Sequence, residues 1–159
     1  MIRDRKPMSD KGLLRCLQNM SVESWYRLLN GKVFFWLTEA RLNRLLYARA
    51  YRDIPHCVYV LDTKSLVTAH EDNIRLSAMN SGCTKPYPHR RGGDTFRKIK
   101  DYPYDHWRKM RGWAGDPIVE LAVELSVPDI MKHAIRVEKR KAATRTEIVW
   151  PAGMRFESL

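Results

Sequence analysis

Apolar positions recur at helical spacing through the first half of the chain, and each run follows a residue suited to a helix N-cap. Ser9 precedes Leu13, Leu14 and Leu17 on one face, and Ser21 precedes Val22, Trp25, Leu28 and Leu29, a run that stops at Asn30-Gly31. Val33-Phe34-Phe35-Trp36-Leu37 is apolar throughout and lies between Gly31 and Thr38, which predicts a central strand. Thr38 then starts a longer helix with Leu42, Leu45, Leu46 and Arg49 as its spine, ended by Asp53-Ile54-Pro55. Residues 57–61 predict another strand, Asp62 caps a short helix through Leu66 and Val67, and Ile74-Arg75-Leu76-Ser77 is a brief alternating strand.

From residue 79 to about 115 the periodicity disappears, while Gly82, Pro86, Pro88, Gly92, Gly93 and Pro103 recur. This predicts a long loop region with one helical turn near 105–110, and loops of that length are functional or disordered. The clearest strand pattern follows it. Alternation places Val119, Leu121, Val123 and Leu125 on one face, and Ile118, Glu120, Ala122 and Glu124 on the other. Pro128 starts a single helical turn, His133-Ala134-Ile135-Arg136-Val137 returns as a strand, and Lys139-Arg140-Lys141 opens a polar tail with a strand-like patch at Ile148-Val149-Trp150. Strands and helices mixed without strict βαβ alternation make this an α+β chain. We expect one domain over residues 1–138, with two small packed sheets and flanking helices, and a basic tail over 139–159.

Charge changes the picture more than composition does. A net charge of +11 and a pI near 9.8 favour polyanionic partners, although a solvated basic surface would give the same numbers. Cys16, Cys57 and Cys83 are far apart and odd in number, which suits free thiols in a reducing compartment. No apolar run reaches the roughly 18–20 residues of a membrane span, and no apolar stretch follows the charged start, so a cytoplasmic protein is expected.

Two features carry candidate chemistry. Glu120 sets a carboxylate inside a β-branched run, where strand stability asks for none; it is either a solvated charge or a working group at the floor of a cleft. The loop between 85 and 111 interleaves cations, among them Arg90, Arg91, Lys98, Lys100, Arg108 and Lys109, with Tyr87, Phe96, Tyr102, Tyr104 and Trp107. Charge for phosphates and π faces for bases suit single-stranded nucleic acid; the alternative is that the aromatics plug the core edge. The small turn Asn80-Ser81-Gly82-Cys83-Thr84 can offer N–H groups to a phosphate or ribose, but it is not a P-loop. The histidines show no metal-ligand spacing, no serine sits in a nucleophile elbow, and no histidine stands at a diagnostic spacing from Cys83.

Three segments together carry a resemblance: Trp25-Tyr26-Arg27-Leu28-Leu29-Asn30-Gly31-Lys32-Val33-Phe34-Phe35-Trp36; residues 80–84 with Arg91-Gly92 and Thr95-Phe96; and Val119-Glu120-Leu121-Ala122-Val123 with Val127-Pro128-Asp129-Ile130. The set resembles a bacterial domain family of unknown function, from residue 2 to about 137. More distantly it is similar to the DarT-type ADP-ribosyltransferases, which move ADP-ribose from NAD to single-stranded DNA. In those enzymes a glutamate in an Ala-Glu-Val-Leu-Val strand, followed by a Val-Pro turn, is catalytic, and Glu120 with Val127-Pro128 falls on that pattern.

The resemblance implies an ADP-ribosyltransferase-like fold and an NAD-dependent enzyme of toxin or defence type acting on nucleic acid, with an antitoxin protein as partner. It implies Glu120 as catalytic carboxylate, Arg3 as the assisting arginine, and Phe35, Tyr47, Asn80, Ser81 and Thr84 around NAD. The transferases also carry an N-terminal strand and helix-loop that form much of the nicotinamide pocket. This chain starts at Met1-Ile2-Arg3-Asp4, past that segment, which leaves a truncated start or a scaffold without NAD binding as the two expectations. The rival function is a non-catalytic nucleic-acid-binding or interaction domain on the same scaffold.

Overall fold

The four helix N-caps read from the sequence are all in place. In the computed structural model, which describes residues 8–85, 87–142 and 144–151, Ser9, Ser21, Thr38 and Asp62 accept hydrogen bonds from the backbone N–H of Gly12, Ser24, Arg41 and Ser65. Each cap satisfies one of the N–H groups that a first turn leaves without an intrahelical partner. The chain is α+β and forms two compact units, one from Met1–Leu37 with Asp72–Ser126, the other from Thr38–Glu71 with Val127–Leu159.

The first unit holds α1 (Asp10–Leu14), α2 (Val22–Asn30), β1 (Lys32–Trp36), β3 (Ile74–Ser77), α5 (Tyr104–Arg111) and β4 (Glu120–Glu124). Its three strands are antiparallel in the order β1-β4-β3. The central strand is therefore β4, and the apolar run at 33–37 forms an edge. The strand pattern at 118–125 is also shorter than alternation suggests. Leu125, expected on the core face, is 83% exposed at φ +66°, because β4 ends at Glu124 and the chain turns there, with the Leu125 N–H on the Gly31 carbonyl. Trp25 stacks on Phe96 with ring centroids 6.1 Å apart, Phe34 tilts against the same ring, and Leu13 and Cys16 complete the core around them.

The long aperiodic region is ordered by hydrogen bonds that no periodicity announces. It contains two short 3-10 turns and α5, which runs for two turns where a single one was expected. Arg91 pairs through its backbone with Cys16 and Gln18. That close approach explains Gly92, where a Cβ would stand 2.7 Å from the Gln18 carbonyl oxygen. Tyr102 donates its hydroxyl to the Pro117 carbonyl at 2.6 Å; burial pushes the phenol up to about 12 against the opposing charge of Arg111, so it remains a donor.

The second unit holds α3 (Glu39–Leu46), β2 (Pro55–Leu61), α4 (Thr63–His70), β5 (Ala134–Lys141) and β6 (Thr144–Trp150), with an antiparallel sheet in the order β2-β5-β6. The segment expected as a polar tail from 139 is thus the end of β5 and most of a hairpin. Its charged side chains hid the strand because Glu138 and Arg140 point inward and neutralise each other there. Leu46, Leu66, Val127 and Val137 supply the buried apolar part of this unit. Among the described residues no helix is long and apolar enough to cross a membrane.

Candidate functional site

Glu120 opens the central strand of the first unit, registered against Trp36 on one side and Ser77 on the other. Strand geometry holds its backbone rigidly, and its side chain is only 1% exposed. The carboxylate Oε2 accepts the backbone N–H of Ser81 at 3.0 Å. Arg91 holds the same residue from its other end: Nη1 donates to the Ser81 carbonyl at 2.9 Å, Nη2 to Cys83 at 2.9 Å and Nε to His89 at 3.0 Å. The guanidinium also lies over the Trp25 ring, 5.9 Å from its centroid. A buried carboxylate and a buried guanidinium thus clamp one turn by its N–H and C=O groups. The Ser81 hydroxyl, fully buried, has no hydrogen-bond partner among the described residues.

The other expected NAD-pocket residues are placed unevenly. Asn80 is exposed and uses its side-chain oxygen on the Gly82 N–H, within the turn itself. Thr84 is buried close to Gly12 of α1. Phe35 is half-buried on β1 opposite Leu121. Tyr47 belongs to the second unit, where it closes the end of α3 and is exposed. Arg3 lies outside the described residues.

The expected phosphate-binding cations divide as sharply. Arg91 is 2% exposed and donates three of its five N–H groups to backbone carbonyls, so its guanidinium faces the interior and holds the turn, which corrects the expectation that it meets phosphates from the surface. Arg108 is half-buried and braces the exit of α5, donating to the Trp113 and Gly115 carbonyls at 3.2 Å and to the Tyr104 hydroxyl at 2.8 Å. Arg111 fastens the same helix end to the carbonyls of Asp116 and Ala78. Arg90, Lys98, Lys100 and Lys109 are exposed. The braced helix end also displays aromatic surface. Trp113 is 93% exposed, with the Arg108 guanidinium 6.0 Å from its ring centroid and 5.5 Å from that of Tyr104.

Among known proteins, a family of unknown function, DUF7002, matches residues 1–134. The chain belongs to that family. No curated protein matches it, and no solved structure does. The DUF7002 match takes in the Glu120 clamp, the α5 surface and a third cluster that sequence spacing did not reveal. In the second unit His70 Nε2 lies 2.8 Å from Asp129 Oδ1, and His133 Nε2 lies 3.3 Å from Asp129 Oδ2. Only the i,i+4 step from Asp129 to His133 is local; His70 arrives from 59 residues away, so no spacing rule could have joined the three. Burial pushes the Asp129 carboxyl up, but the hydrogen bonds from both histidines and the charge of His70 outweigh it and hold the group below the usual range.

Proposed function

We propose that this chain binds single-stranded nucleic acid through the segment that carries α5 and the exposed lysines before it. The observation that carries the reading is Trp113, a large ring open to solvent and braced by Arg108, beside Tyr104 and exposed cations. An exposed tryptophan has no role in this unit's core, whereas a fixed π face stacks on an unpaired base and the neighbouring ammonium groups meet phosphates. The net charge of +11 strengthens long-range attraction to the same partner.

Fluorescence anisotropy with a labelled oligothymidylate tests it. Trp113→Ala is expected to weaken binding by about 5- to 100-fold, the range of one base–aromatic stack. The combined charge reversal Lys98→Glu, Lys100→Glu and Lys109→Glu should flatten the salt dependence, by about 0.7 in the log–log slope for each phosphate that is no longer neutralised. Binding that ignores both variants would place the nucleic-acid surface elsewhere or nowhere.

A second reading, ADP-ribosyl transfer from NAD to that nucleic acid, is favoured by the Glu120 clamp. Breaking the nicotinamide–ribose bond develops positive charge on the ribose, and a fixed carboxylate stabilises it. Glu120 is fixed, and the Ser81 hydroxyl beside its anchor point has no hydrogen-bond partner among the described residues. The carboxylate is also covered, so this chemistry requires the 80–84 turn to move aside. An antitoxin partner and NAD as substrate belong to this reading. NAD consumption, measured with and without single-stranded DNA and RNA, is expected to fall to background in Glu120→Gln. Consumption at an unchanged rate in that variant rules Glu120 out as the catalytic group, while no consumption by the native chain leaves nucleic-acid binding as its function.

A further inference from the structure

We propose that His70, Asp129 and His133 form a binding site for one divalent transition-metal ion, with zinc the best fit to the donors. The site lies wholly in the second unit and is independent of both functional readings above. Two imidazoles and one carboxylate are the donor set of open zinc sites, which hold the ion by three protein ligands and leave a position for water or substrate. The same set also suits Fe(II) or Co(II), because nitrogen and oxygen donors discriminate weakly among these ions.

The backbone brings the donors to one place for local reasons. His70 is the last residue of α4, the end of a helix that favours a cation. Asp129 opens a 3-10 turn and His133 closes it, with the Lys132 N–H on the Asp129 carbonyl at 2.8 Å. The His133 carbonyl in turn accepts the N–H of Asp62, the N-cap of α4, at 2.8 Å. Both ends of α4 are thereby tied to the 129–133 turn.

The donor atoms all lie within 4.8 Å of one another. Zinc bonds of ~2.0–2.1 Å set tetrahedral donors about 3.3 Å apart. His133 Nε2 stands 3.3 Å from Asp129 Oδ2, and His70 Nε2 lies 2.8 Å from the other oxygen, Oδ1, so the carboxylate already sits between the two imidazoles and an ion needs the side chains to shift until it faces both rings.

Three features separate this cluster from a carboxylate that merely collects two histidines. His133 Nδ1 lies 2.7 Å from Ser65 Oγ, so the ring is already oriented by a partner on its far nitrogen, as the rings of metal-bound histidines are. On metal binding at Nε2 the proton moves to Nδ1 and the ring donates to Ser65, at no cost in geometry. Exposure is graded, with the side chain of His133 at 5%, His70 at 14% and Asp129 at 26%, so the ligands are largely desolvated while one side stays open to water. Finally, an open groove of about 460 Å³, lined by Asp62, Lys64, Ser65, Thr68, Ala69 and His133, reaches the His133 ring on the side of its Ser65 partner. The partly exposed Asp129 carboxylate, at 26%, is the side from which an ion would enter.

The experiment uses the full chain, stripped with EDTA and titrated with Zn²⁺ by calorimetry and with Co²⁺ by visible absorption. One equivalent is expected to bind, and Co²⁺ should give the intense d–d bands of a four-coordinate site. His70→Gln and Asp129→Asn are each expected to weaken Zn²⁺ binding by at least about 100-fold, and Ser65→Ala by about 10-fold, the range of a lost partner to a ligand. The variants are compared only where circular dichroism shows the native spectrum.

For the native chain, histidine-ring NMR during the same titration identifies the ligands among its five histidines directly. Shifts confined to His70 and His133 support the site. Shifts at His56, His89 or His106 instead, unchanged affinity in folded His70→Gln and Asp129→Asn, or no saturable binding would each overturn it.

Discussion

Glu138→Ala is expected to lower folding stability by about 3–5 kcal/mol, the loss typical of removing one partner from a buried ion pair. The side chain is fully buried on β5, and its two oxygens receive three arginines. Arg140 binds Oε1 at 2.5 Å, while Arg136 and Arg145 bind Oε2 at 2.8 and 3.0 Å. Arg140 is itself buried and reaches on to Glu39 at 2.9 Å and Asn43 at 3.3 Å. Without the carboxylate, Arg140 would be a buried cation facing two other arginines, with the exposed Glu39 as its remaining counter-charge.

The same network sets a pH dependence. Burial pushes the Glu138 carboxyl up, but the hydrogen bonds and charges of Arg136 and Arg140 outweigh it and hold the group below its ordinary value. A carboxyl depressed in the folded chain contributes stability above its unfolded value, about 4.3, and that contribution is lost as pH falls through the folded value. Urea denaturation should therefore show the native chain weakening steeply below about pH 4. Glu138→Ala should be less stable at pH 7 and flatter in that acid window. Equal slopes would show that the network carries no linked proton.

Arg91→Ala is the second large loss. Three carbonyls receive its guanidinium, and leaving a buried acceptor unpaired costs about 1–3 kcal/mol, so a destabilisation of about 3 kcal/mol or more is expected, read as a fall in the urea midpoint. Arg91→Lys should recover less than half of it, because one ammonium cannot serve three carbonyls spread across a fork. Lys98→Glu makes the contrast: a change at an exposed lysine is expected to stay within about 0.5 kcal/mol while weakening nucleic-acid binding. If Arg91→Lys proved as stable as the native chain and bound nucleic acid poorly, the clamp role argued for Arg91 would be wrong.

The sequence and the fold agree where signals are local and part where they are not. Arg91 and Lys98 look alike in sequence, seven positions apart in one basic, aperiodic stretch. Only the pairing of 91 with Cys16 and Gln18 carries Arg91 inward against Trp25. Glu120 was legible as an anomaly, yet the sequence left open whether the carboxylate faced solvent or the interior. The 80–84 turn decided that by folding over the carboxylate, with the Ser81 N–H donated to its Oε2. Lys139-Arg140-Lys141 read as a tail because three cations in a row do not resemble a strand, and the carboxylate that makes Arg140 tolerable inside is recognisable only once both face inward.

What the sequence determined by itself was the α+β class, the four capped helix starts, the approximate strands and the basic charge. These rest on interactions within a few residues: a side-chain oxygen three positions from the N–H it caps, or the alternation of a pleat. Tertiary structure alone decided which strand is central, that Arg91 is a buried clamp, and that His70 meets Asp129 and His133 in the second unit. Those outcomes depend on chain segments tens of residues apart closing on one another, and the free energy that selects them is shared across the whole packed unit rather than written in any short stretch.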